Sequence, residues 1–270
     1  MSVDITPAIE YSDPFIDGLL SHFGEPVQEG LTTAKVMGEL AIPTLVTDPD
    51  EVAIQLVVIT GGAAGGKSTL ANDMAAELRT QDIDSAVIRT DDFVLWDRQE
   101  RHRREQAGMR PEAKYAFYEM RRAIGAICAN QDPDRTVAVP QYDSHTGLAV
   151  DGALRRHIPK VGVLIVEGDM LGEHGVTPQD LYPSNASNPR TLYVHVSDEE
   201  RLRRRVVRDM AERNGYGASA HSIVDSFMHR QATQHRPYTL QYAPTADAIL
   251  KPASDNASYG IQTYDMHVRT

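Results

Sequence analysis

The chain has one cysteine, Cys128, so no disulfide can form within it and a disulfide-stapled secreted scaffold is excluded. Cys128 falls in an apolar helical pattern with Ile124 and Ile127 and reads as a small core residue. No apolar run approaches the ~18–20 residues that a membrane span needs. The stretch Met1 to Glu10 is acidic and lacks a basic region followed by an apolar one, so no signal peptide is expected and a cytoplasmic location fits. Positive charge is also short: net charge is −11, which does not favour a nucleic-acid partner. Internal repeats and low-complexity segments are absent. What is there is 270 residues with 41% apolar content, ample for one domain with appendages.

The stretch that organises the rest is Gly61-Gly62-Ala63-Ala64-Gly65-Gly66-Lys67-Ser68, followed by Thr69. It fits G-x-x-x-x-G-K-[ST], a phosphate-binding loop. Ile54 to Ile59, broken only by Gln55, predicts a buried strand before it. Thr69 to Leu78 predicts a helix after it, with Leu70, Met74, Ala75 and Leu78 on one face. Strand, glycine loop and helix N-terminus together suit an anion, because successive N–H groups and the helix dipole point at it. In this motif Lys67 bridges the β- and γ-phosphates and the Ser68 hydroxyl ligates Mg²⁺. A positively charged pocket in an acidic chain implies that cations are concentrated locally.

Further strands are expected over Ser85 to Thr90, from Thr136, over Val161 to Val166, Thr191 to Val196 and Ala246 to Leu250. Asp151-Gly152 suits a hairpin returning through Leu154 to Ile158. Helices are expected over Leu31 to Ala41, Pro111 to Asn130, Glu199 to Glu212 and Ser222 to Tyr242, the last kinked or split at Pro237. Residues 14–24 also have helical spacing. The division is a helical N-terminal extension over 1–50, a catalytic domain over 51–250 and a polar tail over 251–270. The extension packs on the core or on a partner subunit, which leaves a homodimer open.

Two strand ends carry acids. Thr90-Asp91-Asp92-Phe93 follows one strand, and Asp91 or Asp92 is a candidate base at the ligand crevice of an open α/β sheet. Glu167 follows another and can hold Mg²⁺ directly or through water. Tyr142 and His145 offer a ring and an imidazole on the acceptor side. Arg98 to Arg110 mixes arginines with Glu100 and Glu105 and reads chiefly as a solvated face, from which one or two arginines can reach substrate. Arg201, Arg203, Arg204, Arg205, Arg208 and Arg213 cluster on and after one helix. Guanidinium groups there can neutralise charge on a transferred phosphate, with Arg201 and Arg205 assigned to ordinary surface pairing such as Arg205–Asp209. Asp169-Met170-Leu171-Gly172 fits a GTPase switch motif, but no guanine-reading Asn/Thr-Lys-x-Asp accompanies it.

Together these motifs resemble the uridine kinase and phosphoribulokinase group. Thr60 to Thr69 is similar to its loop, Asp91-Asp92-Phe93 to its Asp-x-Phe, whose aspartate is the general base, and Thr90 to Phe93 still more to bacterial pantothenate kinases. Pro140-x-Tyr142-Asp143 with His145 resembles the uridine kinase segment that faces the nucleobase. Val166-Glu167-Gly168 matches a strand-end Glu-Gly, Arg201 to Arg213 resembles the lid helix, and Tyr242-Ala243-Pro244 to Ile249 the closing strand. The resemblance spans about 54–250. It implies a three-layer α/β/α P-loop fold with a parallel central sheet and an arginine-rich helical lid over about 204–217.

The implied activity is transfer of the γ-phosphate of MgATP to a hydroxyl of a small molecule. In that reading Gly61 to Thr69 and Arg204 bind ATP, while Ser68, Asp91 and Glu167 hold Mg²⁺. Asp91 is the base, with Lys67, Arg204 and Arg208 stabilising the transition state. Asp92, Phe93, Trp96, Arg110, Tyr142, His145, Glu167 and Arg213 are the candidate substrate contacts. A nucleoside or nucleoside-like metabolite is the leading acceptor, from Tyr142, His145 and Trp96; pantothenate, a sugar phosphate, glycerate or a specialised metabolite is the alternative, an anionic acceptor needs arginines from the 98–110 stretch, and a nucleotide-dependent regulatory ATPase with no small acceptor is the remaining reading.

Overall fold

The computed structural model describes residues 28–40, 42, 54–143, 147–150, 154–168, 181–183, 186–212, 219–252 and 263–268. Its centre is strand β2 (Ile54–Gly61), every residue of which is buried. Alternate side chains feed two cores. Ile54, Leu56 and Val58 face one, Val57 and Ile59 the other. A strand covered on both faces reads as a continuous apolar run, which is why the pattern before the loop lacks alternation.

One core is covered by helix α1 (Thr33–Glu39) and helix α2 (Lys67–Thr80), which buries Leu70, Met74 and Leu78. Each such side chain contributes ~1.5–3 kcal/mol on burial, so this face alone fixes the helix against the sheet. The other core is covered by helix α4 (Phe117–Cys128) through Met120, Ile124, Ile127 and Cys128. Helix α3 (Arg98–Gln106), between them in sequence, buries no residue.

Seven strands make the sheet. Besides β2 they are β1 (Gln28–Thr32), β3 (Ser85–Arg89), β6 (Val163–Gly168), β7 (Ala186–Val194), β8 (Ala248–Pro252) and β9 (Thr263–Val268), in the order β1-β9-β8-β7-β2-β6-β3. Pairings from β3 across to β8 are parallel, with Val58 opposite both Val166 and Thr191. β9 lies antiparallel to β8 and β1 antiparallel to β9. The chain fills both sides of β2 in turn, so the carboxyl end of β2 is the switch point where α/β sheets open a ligand crevice. Helices cover both faces, giving the expected three-layer, mostly parallel architecture.

Several elements differ from the sequence expectation. Strand β1 precedes α1 where helical spacing alone predicts a helix from Leu31, and the polar tail contains strand β9. The sheet therefore extends beyond residues 51–250 on both sides. The segment predicted as a helix from Pro111 begins as a 3-10 turn over Pro111–Lys114 before α4. The segment from Ser222 is split, but after Arg230 and not at Pro237. It forms helix α6 (Ala220–Arg230), a wide turn over Gln231–Thr239 containing Pro237, and a 3-10 turn over Leu240–Thr245. Strand β4 (Val137–Pro140) pairs antiparallel with β5 (Arg155–Ile158), as the Asp151-Gly152 signal implies, although residues 151–153 lie outside the described residues. Residues 14–24 and 169–172 lie outside them too.

Candidate active site

The parallel strands all end on one side of the sheet: β2 at Gly61, β3 at Arg89, β6 at Gly168, β7 at Val194. Between β2 and α2 the loop must reverse direction within a few residues. Gly66 takes φ +92° as the residue preceding α2, a left-handed conformation that costs other residues energy. Ala64 shares that region at φ +63°. Gly62 is needed for a different reason. A Cβ there would collide with the guanidinium of Arg201. No side chain caps the α2 N-terminus. Its first N–H groups therefore face outward at the positive end of the helix dipole, an arrangement that binds an anion.

The loop opens onto a cleft of about 380 Å³. Ala63, Ala64, Lys67 and Ser68 line it from the loop, Thr90 and Asp91 from the end of β3, and Glu167 and Gly168 from the end of β6. Lys67 is buried and its Nζ donates to the Gly62 carbonyl oxygen at 2.9 Å. The Ser68 hydroxyl donates to Glu167 Oε1 at 2.8 Å. Burial pushes the Glu167 carboxyl up to about 7, with the nearby negative charge of Asp91 adding to the rise and Lys67, Ser68 and Arg89 opposing it. Arg89 Nε stands 3.4 Å from the same carboxylate.

Oxygen donors of this kind suit a hard divalent cation. Mg²⁺ is usually held by one or two carboxylates with phosphate oxygens and water rather than by a complete protein cage. Among the described residues no three carboxylate, thiol or imidazole groups converge, and Ser68, Glu167 and Asp91 are oxygen donors that would share such an ion with phosphate and water. The rise at Glu167 comes first from burial, and a cation bound beside it would oppose that rise.

The arginine helix, α5 (Asp198–Glu212), lies over the same cleft through Arg205 and Arg208, joined by Arg230 at the end of α6. Arg201, Arg205 and Arg208 recur at helical spacing on one face. Arg204 sits to the side of that face, where Glu200 one turn earlier takes its Nε at 2.6 Å. Arg205 is the residue that reaches the cleft, not Arg204. Burial and neighbouring Arg230 lower the Arg205 guanidinium to about 10, the mark of crowded cations that a polyanion would relieve. Arg201 goes deeper. It is 2% exposed, within hydrogen-bond distance of His235 at 3.0 Å, 3.5 Å from the Asp198 carboxylate and stacked on Phe227. Burial, with Arg201 and Lys67 adding to it, pulls His235 well below the usual histidine range. Arg201 is therefore a buttress under the loop rather than a surface residue.

Other expected contacts are placed differently. Asp92 is buried beside Asp91 and holds structure. Its carboxylate accepts from Arg156 at 2.7 Å, from the Tyr142 backbone N–H at 3.1 Å and from the Arg89 N–H at 3.0 Å. It ties the β4–β5 hairpin to β3 and so sets where Tyr142 stands. Phe93 is wholly buried in the core under α4 and does not line the cleft. Trp96, half-buried at φ +61°, lies beneath the Arg104 guanidinium, 4.0 Å from the ring centre, and off the lining. Arg110 is exposed and Thr69 lies on the outer side of its turn, both off the lining. Tyr142 does line the cleft, and its hydroxyl accepts from Arg98 at 3.3 Å. His145 and Arg213 lie outside the described residues. Reasoning from sequence missed Lys114, Tyr115 and Arg230, which line the cleft without belonging to any motif. Arg98 and Arg101 were visible only as part of an arginine-rich stretch.

A helix N-terminus left open at the switch point of a parallel sheet, with strand-end acids around it, defines a P-loop phosphotransferase. The chain belongs to the Phosphoribulokinase / Uridine kinase family, which it matches over residues 56–258, and it is accordingly a kinase with an alcohol group as acceptor. It is 25% identical over 209 residues to a uridine kinase of Ureaplasma urealyticum, covering 76% of this chain and 86% of that one. Among solved structures, the D-glycerate 3-kinase of Cryptococcus neoformans superposes with TM-score 0.57 at 14% identity, covering 82% of this chain and 94% of that one. The phosphoribulokinase of Rhodobacter spheroides gives TM-score 0.50 at 18% identity over 77% and 74% of the two chains. Among the described residues no helix is long and apolar enough to cross a membrane.

Proposed function

We propose that the protein transfers the γ-phosphate of MgATP to a hydroxyl of a small molecule held between the phosphate loop and helix α3. The single observation that carries this reading is the shared lining: Lys67, Ser68, Asp91, Glu167, Arg205 and Arg208 all border one cleft. The loop N–H groups and Lys67 bind the phosphates. Ser68, Glu167 and Asp91 hold the Mg²⁺, which supplies charge neutralisation of the phosphate oxygens when bound. Asp91 is the exposed acid of the pair at the end of β3, so it orients the acceptor hydroxyl and takes its proton. Arg205 and Arg208 face the terminal phosphate and stabilise the charge on it during transfer. Transition states of this kind are loose, so positioning and charge do most of the work.

Asp91→Asn should lower kcat ~10²–10⁴-fold, the usual contribution of a general base, while ATP still binds. ADP release coupled to acceptor consumption measures it; near-normal turnover removes Asp91 from the base role.

A nucleoside acceptor is the second reading. It rests on Tyr142 lining the cleft and on the curated relatives named uridine kinase. Trp96 no longer supports it.

A further inference from the structure

The arginines over the cleft do not all come from α5. Arg230 is the last residue of α6 and belongs to none of the sequence motifs. With Ala63 of the phosphate loop and Arg205 it lines the cleft, and the same three residues line a small neighbouring pocket. Arg98 and Arg101 of α3, Tyr115 and Tyr142 line the cleft alone. Arg230 therefore stands on the loop side of the cleft and not on the α3 side.

Its neighbours there are paired. Asp209 accepts from Arg205 Nε at 3.4 Å and from Arg208 Nε at 3.0 Å, and the Ser226 hydroxyl accepts from Arg205 Nη2 at 3.0 Å. Arg230 makes no hydrogen bond or ion pair within the described residues. What it does is repel: after burial, Arg230 is the largest cause of the lowered Arg205 guanidinium. Two guanidiniums held close against that repulsion are relieved by an anion shared between them.

The backbone of Arg230 is fixed from both sides. Phe227, one turn back, packs against Leu202 of α5. Gln231, next in sequence, is buried and donates its side-chain amide to Asp198 at 2.8 Å. The wide turn that follows brings His235 to Arg201 at 3.0 Å and Gln234 to Lys114 at 3.2 Å. Wide turns of this kind recur at functional sites. A cation in the last turn of a helix also gains from the dipole. That gain needs no cleft: His229, in the same turn, is exposed.

We propose that Arg230 contacts the terminal phosphate of the nucleotide and is the residue that separates triphosphate from diphosphate at this site. The loop N–H groups hold phosphates that ATP and ADP share. The guanidinium fork of Arg230 pairs with oxygens of the phosphate that ADP lacks. The proposal rests on the phosphotransfer reading above and adds to it a residue outside the arginine helix.

The test titrates the full chain by calorimetry with a non-hydrolysable ATP analogue and, separately, with ADP, each with Mg²⁺. Wild type is compared with Arg230→Gln. The variant should bind the analogue about ten- to a hundredfold more weakly, the range for one hydrogen bond to a charged group, and ADP within about twofold. The ratio of the two affinities decides. An unchanged ratio overturns the proposal, whether both ligands weaken equally or neither does. Without nucleotide the unfolding midpoint should stay or rise, because the variant removes a repulsion and no pairing. A lower midpoint with an unchanged ratio returns Arg230 to the helix dipole and overturns the proposal. Should Arg230→Gln not fold, Arg230→Met, which keeps the apolar stem, is read the same way. Failure of the analogue to bind wild type overturns the phosphotransfer reading and this proposal with it, and is seen before any variant is compared.

Discussion

Helices α3 and α5 carry the same short pattern, a glutamate followed at three and four residues by a pair of arginines: Glu100 with Arg103 and Arg104, Glu200 with Arg203 and Arg204. In both, the arginines are spent on the glutamate, on an exposed face in α3 and a more covered one in α5. In both, the arginines that reach the cleft are others. They are Arg98 and Arg101 on α3, Arg205 and Arg208 on α5. The difference is in how each helix is held. α5 buries Arg201 and Leu202 and leans on α6, with Leu202 and Phe227 in one apolar cluster. α3 buries nothing. A cationic face on a fixed helix is suited to a phosphate whose position the loop dictates. A similar face on a helix without an apolar anchor is suited to a smaller ligand of less constrained shape. An arginine count along the sequence does not distinguish these uses; the partner one turn away does.

The comparison is broken most severely on α5. Arg205→Gln with Arg208→Gln should cut kcat by ~10³, since arginines facing a transferred phosphate are worth ~10³–10⁵ in rate. Steady-state ADP release measures this, and an effect confined to a rise in the acceptor KM would show that both helices serve the acceptor. Next is Arg201→Leu. It removes the buttress from beneath Gly62 and leaves Asp198 with Gln231 at 2.8 Å and the more distant Arg236. Removing one partner of a buried ionic network costs ~3–5 kcal/mol, and the lower end applies here because Asp198 keeps other partners. Denaturant unfolding should show that loss; an unchanged midpoint would mean that the loop holds Arg201 rather than the reverse.

A smaller effect is expected at Asp92. Asp92→Asn keeps the shape but drops the charge opposing Arg156. Tyr142 is then less firmly placed, and the acceptor KM should rise about tenfold, ~1.4 kcal/mol, with the KM for ATP unchanged. Equal changes in both constants would place Asp92 in nucleotide binding instead.

What the sequence disclosed was what is local. The phosphate loop, its strand and its helix are contiguous, and the acids follow apolar runs that end where the sheet ends. Phe93 and Asp92 were misplaced because a single 3-10 turn over Thr90–Phe93 decides which of three neighbouring side chains faces the cleft, and periodicity cannot resolve one turn. Arg205 was set aside for its pairing with Asp209, which is present at 3.4 Å, yet a paired side chain can still line a cleft. Lys114 and Arg230 belong to no motif and reach the cleft only through packing. Strand β1 is largely polar and pairs with β9 from the opposite end of the chain, Leu31 opposite Tyr264, so no local pattern announces it; β9 does alternate, with Tyr264, Met266 and Val268 towards the core, a period-two signal hidden in a tail that is polar as a whole.

The smallest prediction concerns the pattern that the two helices share. Glu100 is drawn down to about 2 by its hydrogen bonds to Arg103 and Arg104, which at first sight suggests a strong pair. Those groups are solvent-facing, however, and water and salt screen such pairs until little net stability remains. Glu100→Gln should therefore leave the unfolding midpoint where it is. Glu200→Gln acts on a less exposed site and frees Arg204, whose side chain is 24% exposed and lies beside the cleft-facing row. If outward pairing is what keeps Arg204 from the phosphate, that variant should change the KM for ATP while Glu100→Gln changes nothing. Identical behaviour of the two would mean that helix geometry alone, not the glutamate, selects which arginines turn inward.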